Sequence, residues 1–360
     1  MIQGYYKSHQ QLEFIGLSGQ QQISAAKVLV IGAGGLGCPC LLQLATSGIG
    51  TIGLADFDTV SLSNLHRQTL YNFNDIGKSK VKTASQNLLA HNPNIEVIEH
   101  DFLVDETNVL GLIQNYDIIV DGTDNFLVRY LINDACVFLN KQLVYGAIYK
   151  TEGQVTVFNC QNSPTLRCLF PEPPLENPIQ SCAEIGAYNI TTSIVGAMMA
   201  GEVIKIVLKL DTVFTGKLIY VDVLAGKNTR LAFAEKPESR TISLNRFTKT
   251  ELPVAIAPKD FLGKFQQQNF RLIDVRSDDD HEVSNIGGIN IPLSKISRFP
   301  LDSLSKDENL VFYCQQGIRS HQAAEFFRKA GFKSAFSLQG GLSGYKNHLS
   351  FFVQNSLPKT

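Results

Sequence analysis

No C-x-x-C pair occurs anywhere in the chain, although it carries seven cysteines: Cys38, Cys40, Cys136, Cys160, Cys168, Cys182 and Cys314. Zinc ribbons take their thiolates in such pairs, so no zinc site of that kind is expected. The odd count and wide scatter argue against a disulfide framework. Neither sign of charge is in excess: 32 Lys and Arg face 33 Asp and Glu, a formal net charge of −1. Without a basic surplus there is no global field to draw nucleic acid or an anionic membrane, and neither is expected as a partner. The opening residues, MIQGYYKSHQQLEF, place no basic segment ahead of an apolar run, unlike a signal peptide. No run approaches the roughly 18 consecutive apolar residues of a membrane span. A cytoplasmic location is expected. Tryptophan is absent too, which by itself excludes nothing.

What is present is length and alternation. At about 150 residues per domain, a chain of 360 residues predicts two or three domains. Lys27–Gly32 (KVLVIG) reads as a buried parallel strand, Leu36–Thr46 as a helix and Thr51–Asp56 (TIGLAD) as the next strand. The pattern continues with a helix over Ser79–Ala90, strands over Glu96–His100 and Asp117–Asp121 (DIIVD), a helix over Phe126–Leu139 and a strand over Leu143–Ala147. Such alternation predicts an α/β domain with a mainly parallel sheet. Glu152–Phe158 and Gly216–Val223 read as further strands, and Thr191–Leu208 as a helix. Between them, Cys160 to Ser181 holds five prolines and reads as a long irregular crossover. Residues 235–258 are polar and poorly periodic, which predicts a linker; a second, smaller α/β pattern follows, with strands over Arg271–Val275 and Asn309–Tyr313 and a helix over Ser320–Ala330. The domain boundaries predicted are 1–240, a linker over 241–256, and 257–350.

The loop Gly32-Ala33-Gly34-Gly35-Leu36-Gly37 joins a strand to a helix. Its glycines permit a tight turn and close approach to phosphate at the helix N-terminus. Asp56 ends the next strand, about 20 residues on, where a carboxylate suits ribose hydroxyls. This much is shared with nicotinamide-dependent oxidoreductases. The following motifs are not: Ser63-Asn64-Leu65-His66-Arg67-Gln68, then Lys80, then Asp121-Gly122-Thr123-Asp124-Asn125. From Tyr5 to Val223 the sequence resembles the ThiF/MoeB/HesA superfamily, bacterial relatives of ubiquitin-activating enzymes.

That resemblance implies a Rossmann-like, mixed but mainly parallel sheet. It also implies ATP rather than NAD, and adenylation of a small ubiquitin-like sulfur carrier at its C-terminal glycine. Gly32, Gly34, Gly35, Gly37, Asp56, Asn64, Arg67, Gln68, Lys80, Asp124 and Asn125 would bind the nucleotide. Arg67 and Lys80 suit the charge that grows on departing pyrophosphate, and Asp124 suits a magnesium ion. Asp121 is read two ways, as part of this site or as a cap on its own strand. Homodimers are implied, as in the family.

Two departures stand out. The family's N-terminal R-Y-x-R-H segment reaches the nucleotide of the dimer partner, but here it aligns with Tyr5-Tyr6-Lys7-Ser8-His9, leaving Ser8 where an arginine is expected. Lysine at the neighbouring position does not replace a bidentate arginine. The family's zinc cysteines also reduce to Cys168, because residues 234–240 hold none, so the chain is expected to be zinc-free. Cys182 sits in Ser181-Cys182-Ala183-Glu184, a context in which the family has a cysteine able to react with the carrier; the alternative is a buried loop thiol.

Cys314-Gln315-Gln316-Gly317-Ile318-Arg319-Ser320 follows an apolar strand and opens a helix. The helix dipole and loop amides there favour a thiolate. With Leu272–Arg276, Ile291-Pro292 and Leu338–Gly341, it resembles a single rhodanese domain, in which Cys314 would carry a persulfide and Arg319 would support loop geometry or anion charge. A cysteine-phosphatase loop is the competitor, but its span from Cys to Arg is longer than Gln315–Ile318. An inactive, regulatory rhodanese is the other alternative. Joined, the two halves imply sulfur transfer to an adenylated carrier for molybdopterin or thiamine synthesis, with thiosulfate or a cysteine desulfurase persulfide as donor. A non-catalytic carrier-binding scaffold and an NAD-linked oxidoreductase are the other classes.

Overall fold

The computed structural model describes residues 4–173, 186–248, 254–258, 261 and 270–343. It resolves into two compact units that divide at residues 249–250.

The first unit is built on eight strands: β1 Lys27–Ile31, β2 Thr51–Ala55, β3 Glu96–His100, β4 Ile118–Asp121, β5 Gln142–Tyr149, β6 Glu152–Phe158, β7 Lys217–Asp222 and β8 Lys227–Ala232. Their order is β3-β2-β1-β4-β5-β6-β7-β8, parallel from β3 through β5 and antiparallel beyond. Helices α1 Lys7–Gln10, α2 Gly16–Ala25, α3 Gly37–Ser47, α4 Lys80–His91, α5 Val109–Ile113, α6 Phe126–Phe138, α7 Leu166–Leu169, α8 Asn189–Val207 and α9 Pro237–Thr248 accompany the sheet. Alternation along β1 assigns its faces. Val28 and Val30 join the apolar cluster of Leu41, Leu44, Val195 and Met199, whereas Leu29 and Ile31 join Ile113, Leu131 and Ile132. Both faces are therefore covered, which is why the strand reads as an unbroken apolar run. Helix α8 is long and apolar enough to cross a membrane by length and composition. In this fold its apolar side packs on the sheet, and its buried Glu202 pairs with Lys205.

The first unit runs to residue 249, past the boundary predicted at 240. The stretch read as linker contains α9, and the helix docks largely through polar groups, with Phe247 packed against Phe138 near its end. Buried Asp134 on α6 accepts from Arg167 Nε and Nη2 at 2.8 and 2.7 Å, and from Ser243 Oγ at 2.7 Å. Arg246 reaches the same carboxylate at 3.3 Å and Glu106 at 2.8 Å. A helix held by serines and charges leaves no 3.6-residue apolar period to read.

The second unit is a five-stranded parallel sheet, β9 Ala255–Ile256, β10 Phe270–Asp274, β11 Ile289–Asn290, β12 Asn309–Tyr313 and β13 Ala335–Leu338, in the order β11-β10-β12-β13-β9. Among the described residues, helices α10 Asp278–Val283 and α11 Ile318–Lys329 accompany it.

Candidate functional site

Strands β2 and β3 lie on one side of β1, and β4 to β8 on the other. The loops leaving β1 and β4 therefore diverge, and open α/β sheets bind ligands in the crevice such a reversal creates. The glycine loop leaves β1 and the Gly122–Asn125 turn leaves β4 at this point. They touch: a Cβ on Gly32, whose φ is +99°, would stand 2.9 Å from the Gly122 carbonyl. Only glycine fits there.

Asp56 closes the glycine loop. Its Oδ2 accepts from the Ala33 amide at 2.7 Å and its Oδ1 from the Asp58 amide at 2.8 Å. Each oxygen retains a lone pair for a ribose hydroxyl. Burial raises its pKa, opposed by the charge of Lys80. Lys80 itself is buried, with Nζ 3.0 Å from Asp58 Oδ2. Asp58 is thus a site residue that the motif reading passed over; its spacing of two from Asp56 was the available signal. Arg67 is buried against the loop, its stem 3.5 Å from where a Cβ on Gly35 would lie. Its Nη2 donates to Asn64 Oδ1 at 2.8 Å and its Nη1 to Ser63 O at 3.2 Å, beside His66 Nε2 at 2.8 Å. Gln68 lies next to Gly34, and its buried Oε1 has no hydrogen-bond partner among the described residues. An orphaned polar atom at that position fits a ligand group not contained in the protein.

On the second turn Asp121 is fully buried. Its Oδ1 accepts both the amide and the hydroxyl of Thr123, at 2.9 and 2.7 Å. Of the two readings of Asp121, this geometry matches the strand cap. Arg129 grips the same turn through the Thr123 carbonyl and stacks over Tyr145 at 5.0 Å. Clamped between them, the turn presents Asp124 exposed, and its carboxylate takes no hydrogen bond among the described residues. A free carboxylate beside the glycine loop suits a hard cation. Asn125 caps α6 by accepting from the Leu127 and Val128 amides, which leaves its Nδ2 available.

At the N-terminus Tyr5 donates to His91 O at 2.9 Å and Tyr6 accepts from Asn92 at 2.7 Å. Lys7 and Ser8 are exposed. Cys182 lies outside the described residues. The other cysteines of this unit are buried, and burial pushes the Cys38 thiol up to about 12.

In the second unit Cys314 directly follows β12 and is buried, with Sγ accepting from the Gly317 amide at 3.1 Å. Gly317 takes φ +89° to turn the loop into α11. The turn after β13 straps the loop, because the amides of Leu342 and Ser343 donate to the carbonyls of Cys314 and Gln315, each at 2.9 Å. Arg319 is half-buried and makes no hydrogen bond among the described residues. Ser320, on the first turn of α11, places Oγ 3.6 Å from Sγ, a contact the sequence reading did not assign.

Comparisons with known proteins follow the same division. The ThiF family model matches residues 6–241 and the rhodanese-like domain model residues 257–348. The chain is 36% identical to the probable adenylyltransferase/sulfurtransferase MoeZ of Mycobacterium tuberculosis, across 96% of this chain and 93% of that one. It is 34% identical to a probable molybdopterin-synthase adenylyltransferase of Porphyra purpurea, across 95% and 92%. Among solved structures, E. coli MccB with ATP superposes with a TM-score of 0.57 at 23% identity, covering 66% of this chain and 73% of that one. At that identity the likeness concerns the fold.

Proposed function

This chain belongs to the ThiF family and ends in a rhodanese-like domain, and from that premise we propose that it activates a small ubiquitin-like sulfur carrier with ATP and passes sulfur to it from Cys314. The observation that carries the proposal is the gathering of Asn64, Arg67, Gln68 and Lys80 around the glycine loop at the strand-order reversal, in a chain that also holds a loop-enclosed cysteine. The carrier's C-terminal carboxylate attacks the α-phosphorus of ATP, and pyrophosphate leaves. Arg67 and Lys80 stand ready for the charge on that leaving group. Asp124 would hold magnesium, which when bound screens the phosphate oxygens. The terminal sulfur of a Cys314 persulfide then attacks the acyl carbon and AMP departs, leaving an acyl disulfide. A second thiol, Cys182 or an external one, attacks Cys314 Sγ and releases the thiocarboxylate. Fusion in one chain raises the donor's effective concentration. The carrier would serve molybdopterin synthesis, with thiamine synthesis as the other destination, and the enzyme would act as a cytoplasmic homodimer.

The test is reconstitution with ATP, magnesium, thiosulfate and a small carrier ending in glycine. Expected are carrier-dependent exchange of labelled pyrophosphate into ATP and a carrier heavier by the difference between sulfur and oxygen. ATP binding without exchange would favour a scaffold. Calorimetry showing tighter binding of NAD than of ATP would favour the oxidoreductase class.

We also propose that protein contacts replace zinc. The sulfur of Cys168 accepts the amides of Thr165 and Lys236 at 3.4 and 3.3 Å. Arg240 ties the same two segments, donating to Asn159 Oδ1 at 2.7 Å, Ser163 O at 3.1 Å and Glu235 Oε1 at 3.0 Å. A single thiol does not complete a four-ligand site. Metal analysis is expected to find well under one zinc per chain; stoichiometric zinc retained through purification without chelator would disprove it.

A further inference from the structure

Two serines lie beneath the sulfur loop in the interior of the second unit. Ser320 is fully buried, and Ser337 on β13 is 1% exposed. Ser337 sits in register with Phe312 of β12, two residues before Cys314. Buried hydroxyls need partners, and the distances define which are possible. Ser320 Oγ is 2.8 Å from Ser337 Oγ, 3.0 Å from Gly317 O and 3.6 Å from Cys314 Sγ. Ser337 Oγ is also 3.3 Å from Gly317 O.

Each serine has one hydrogen to give. The Gly317 carbonyl already accepts the His321 amide at 3.1 Å as part of α11, so it does not depend on Ser320. If Ser337 donates to Ser320 Oγ, the Ser320 hydrogen is free for the sulfur. A sulfur anion draws that hydrogen more strongly than a neutral carbonyl, because bonds to ionised acceptors are about twice as strong. Within reach of Sγ, Ser320 would then act beside the Gly317 amide as a second donor.

We propose that Ser320 is a catalytic hydrogen-bond donor to the Cys314 sulfur anion, and that Ser337 is its positioning partner. The proposal rests on the reading of Cys314 as the sulfur carrier. The half-reactions use the bond differently. In loading, the Cys314 thiolate attacks the sulfane sulfur of thiosulfate, the S–S bond breaks and sulfite leaves with the electron pair. In discharge, cyanide attacks the terminal sulfur, the persulfide bond breaks, thiocyanate forms and the electron pair returns to Sγ. Charge grows on Sγ only in discharge, so a donor aimed at Sγ accelerates discharge more than loading.

The experiment loads the full chain with thiosulfate, follows the gain of sulfur by intact mass, and times its loss to cyanide in a single turnover. Ser320→Ala is expected to discharge about tenfold slower, with loading within about threefold of wild type. Ser320→Thr, which keeps the hydroxyl, should recover most of the rate. Ser337→Ala should discharge about threefold slower. The double variant should match Ser320→Ala, because Ser337 works through Ser320. Wild-type discharge in Ser320→Ala, or effects that multiply in the double variant, would overturn the proposal. If Ser320→Ala does not fold, wild-type discharge in Ser337→Ala does the same. Failure of the wild-type chain to load at all would instead remove the reading of Cys314 on which this stands.

Discussion

Cys314→Ala loses sulfur transfer from thiosulfate to cyanide by at least about a thousandfold, the scale on which removal of a covalent nucleophile acts, while carrier-dependent pyrophosphate exchange stays within about twofold. The two activities separate because they belong to different compact units. Cys314 directly follows β12 of the second unit, and the residues proposed to bind the nucleotide cluster at the β1 and β4 ends of the first. The proposed sulfur reaction would use the thiol, the Gly317 amide at 3.1 Å and the strapped loop around them. Truncation to alanine leaves the strap intact, since its bonds run through backbone carbonyls. Intact-mass spectrometry after thiosulfate treatment checks the assignment directly. Wild type should gain one sulfur and Cys314→Ala none. The same gain in Cys314→Ala would move the carrier role elsewhere, with Cys182 first in line. Cys182→Ala should keep the thiosulfate reaction, because its loop belongs to the adenylating sequence.

Much of this was legible in the sequence because the central strands are buried on both faces. Val28–Ile31 and Ile118–Val120 are apolar at every position, and such runs between glycine and aspartate turns leave little choice of element. Strand β8 and helix α9 were not legible. β8 is an edge strand exposed at most positions, so Lys227–Ala232 shows no alternation of apolar and polar residues. The buried positions of α9 are Ser239 and Ser243, and Ser243 is satisfied by a long-range polar partner, Asp134. The nucleotide residues were named from motif order, but their arrangement was not. Lys80 meets Asp58, and Arg129 grips the Thr123 carbonyl, through side-chain geometry that spacing alone does not encode. The hydroxyl beneath Cys314 was hidden for the same reason: Ser337 comes from a different strand, and only the β12–β13 register brings it close.

Asp124→Ala is expected to lower carrier-dependent pyrophosphate exchange by at least about a hundredfold, the scale of removing one preorganised electrostatic contact, with little change in melting temperature. The two halves of that expectation come from one observation: Asp124 is exposed, and its carboxylate takes no hydrogen bond among the described residues. Exposed substitutions away from such contacts usually stay within about 0.5 kcal/mol, so folding should not register the change. Asp121→Ala, three residues earlier, supplies the contrast. That carboxylate is buried, and burial raises its pKa against the pull of Arg129. Removing it frees the Thr123 amide and hydroxyl and leaves the Arg129 guanidinium without its buried counter-charge, which is 3.8 Å away. Exchange and stability should fall together there, because breaking a buried pair costs about 3–5 kcal/mol. Calorimetric melting alongside exchange assays tells the two aspartates apart. Wild-type exchange in Asp124→Ala would refute its role at the phosphates. Loss of exchange with a large fall in melting temperature would make Asp124 a folding residue instead.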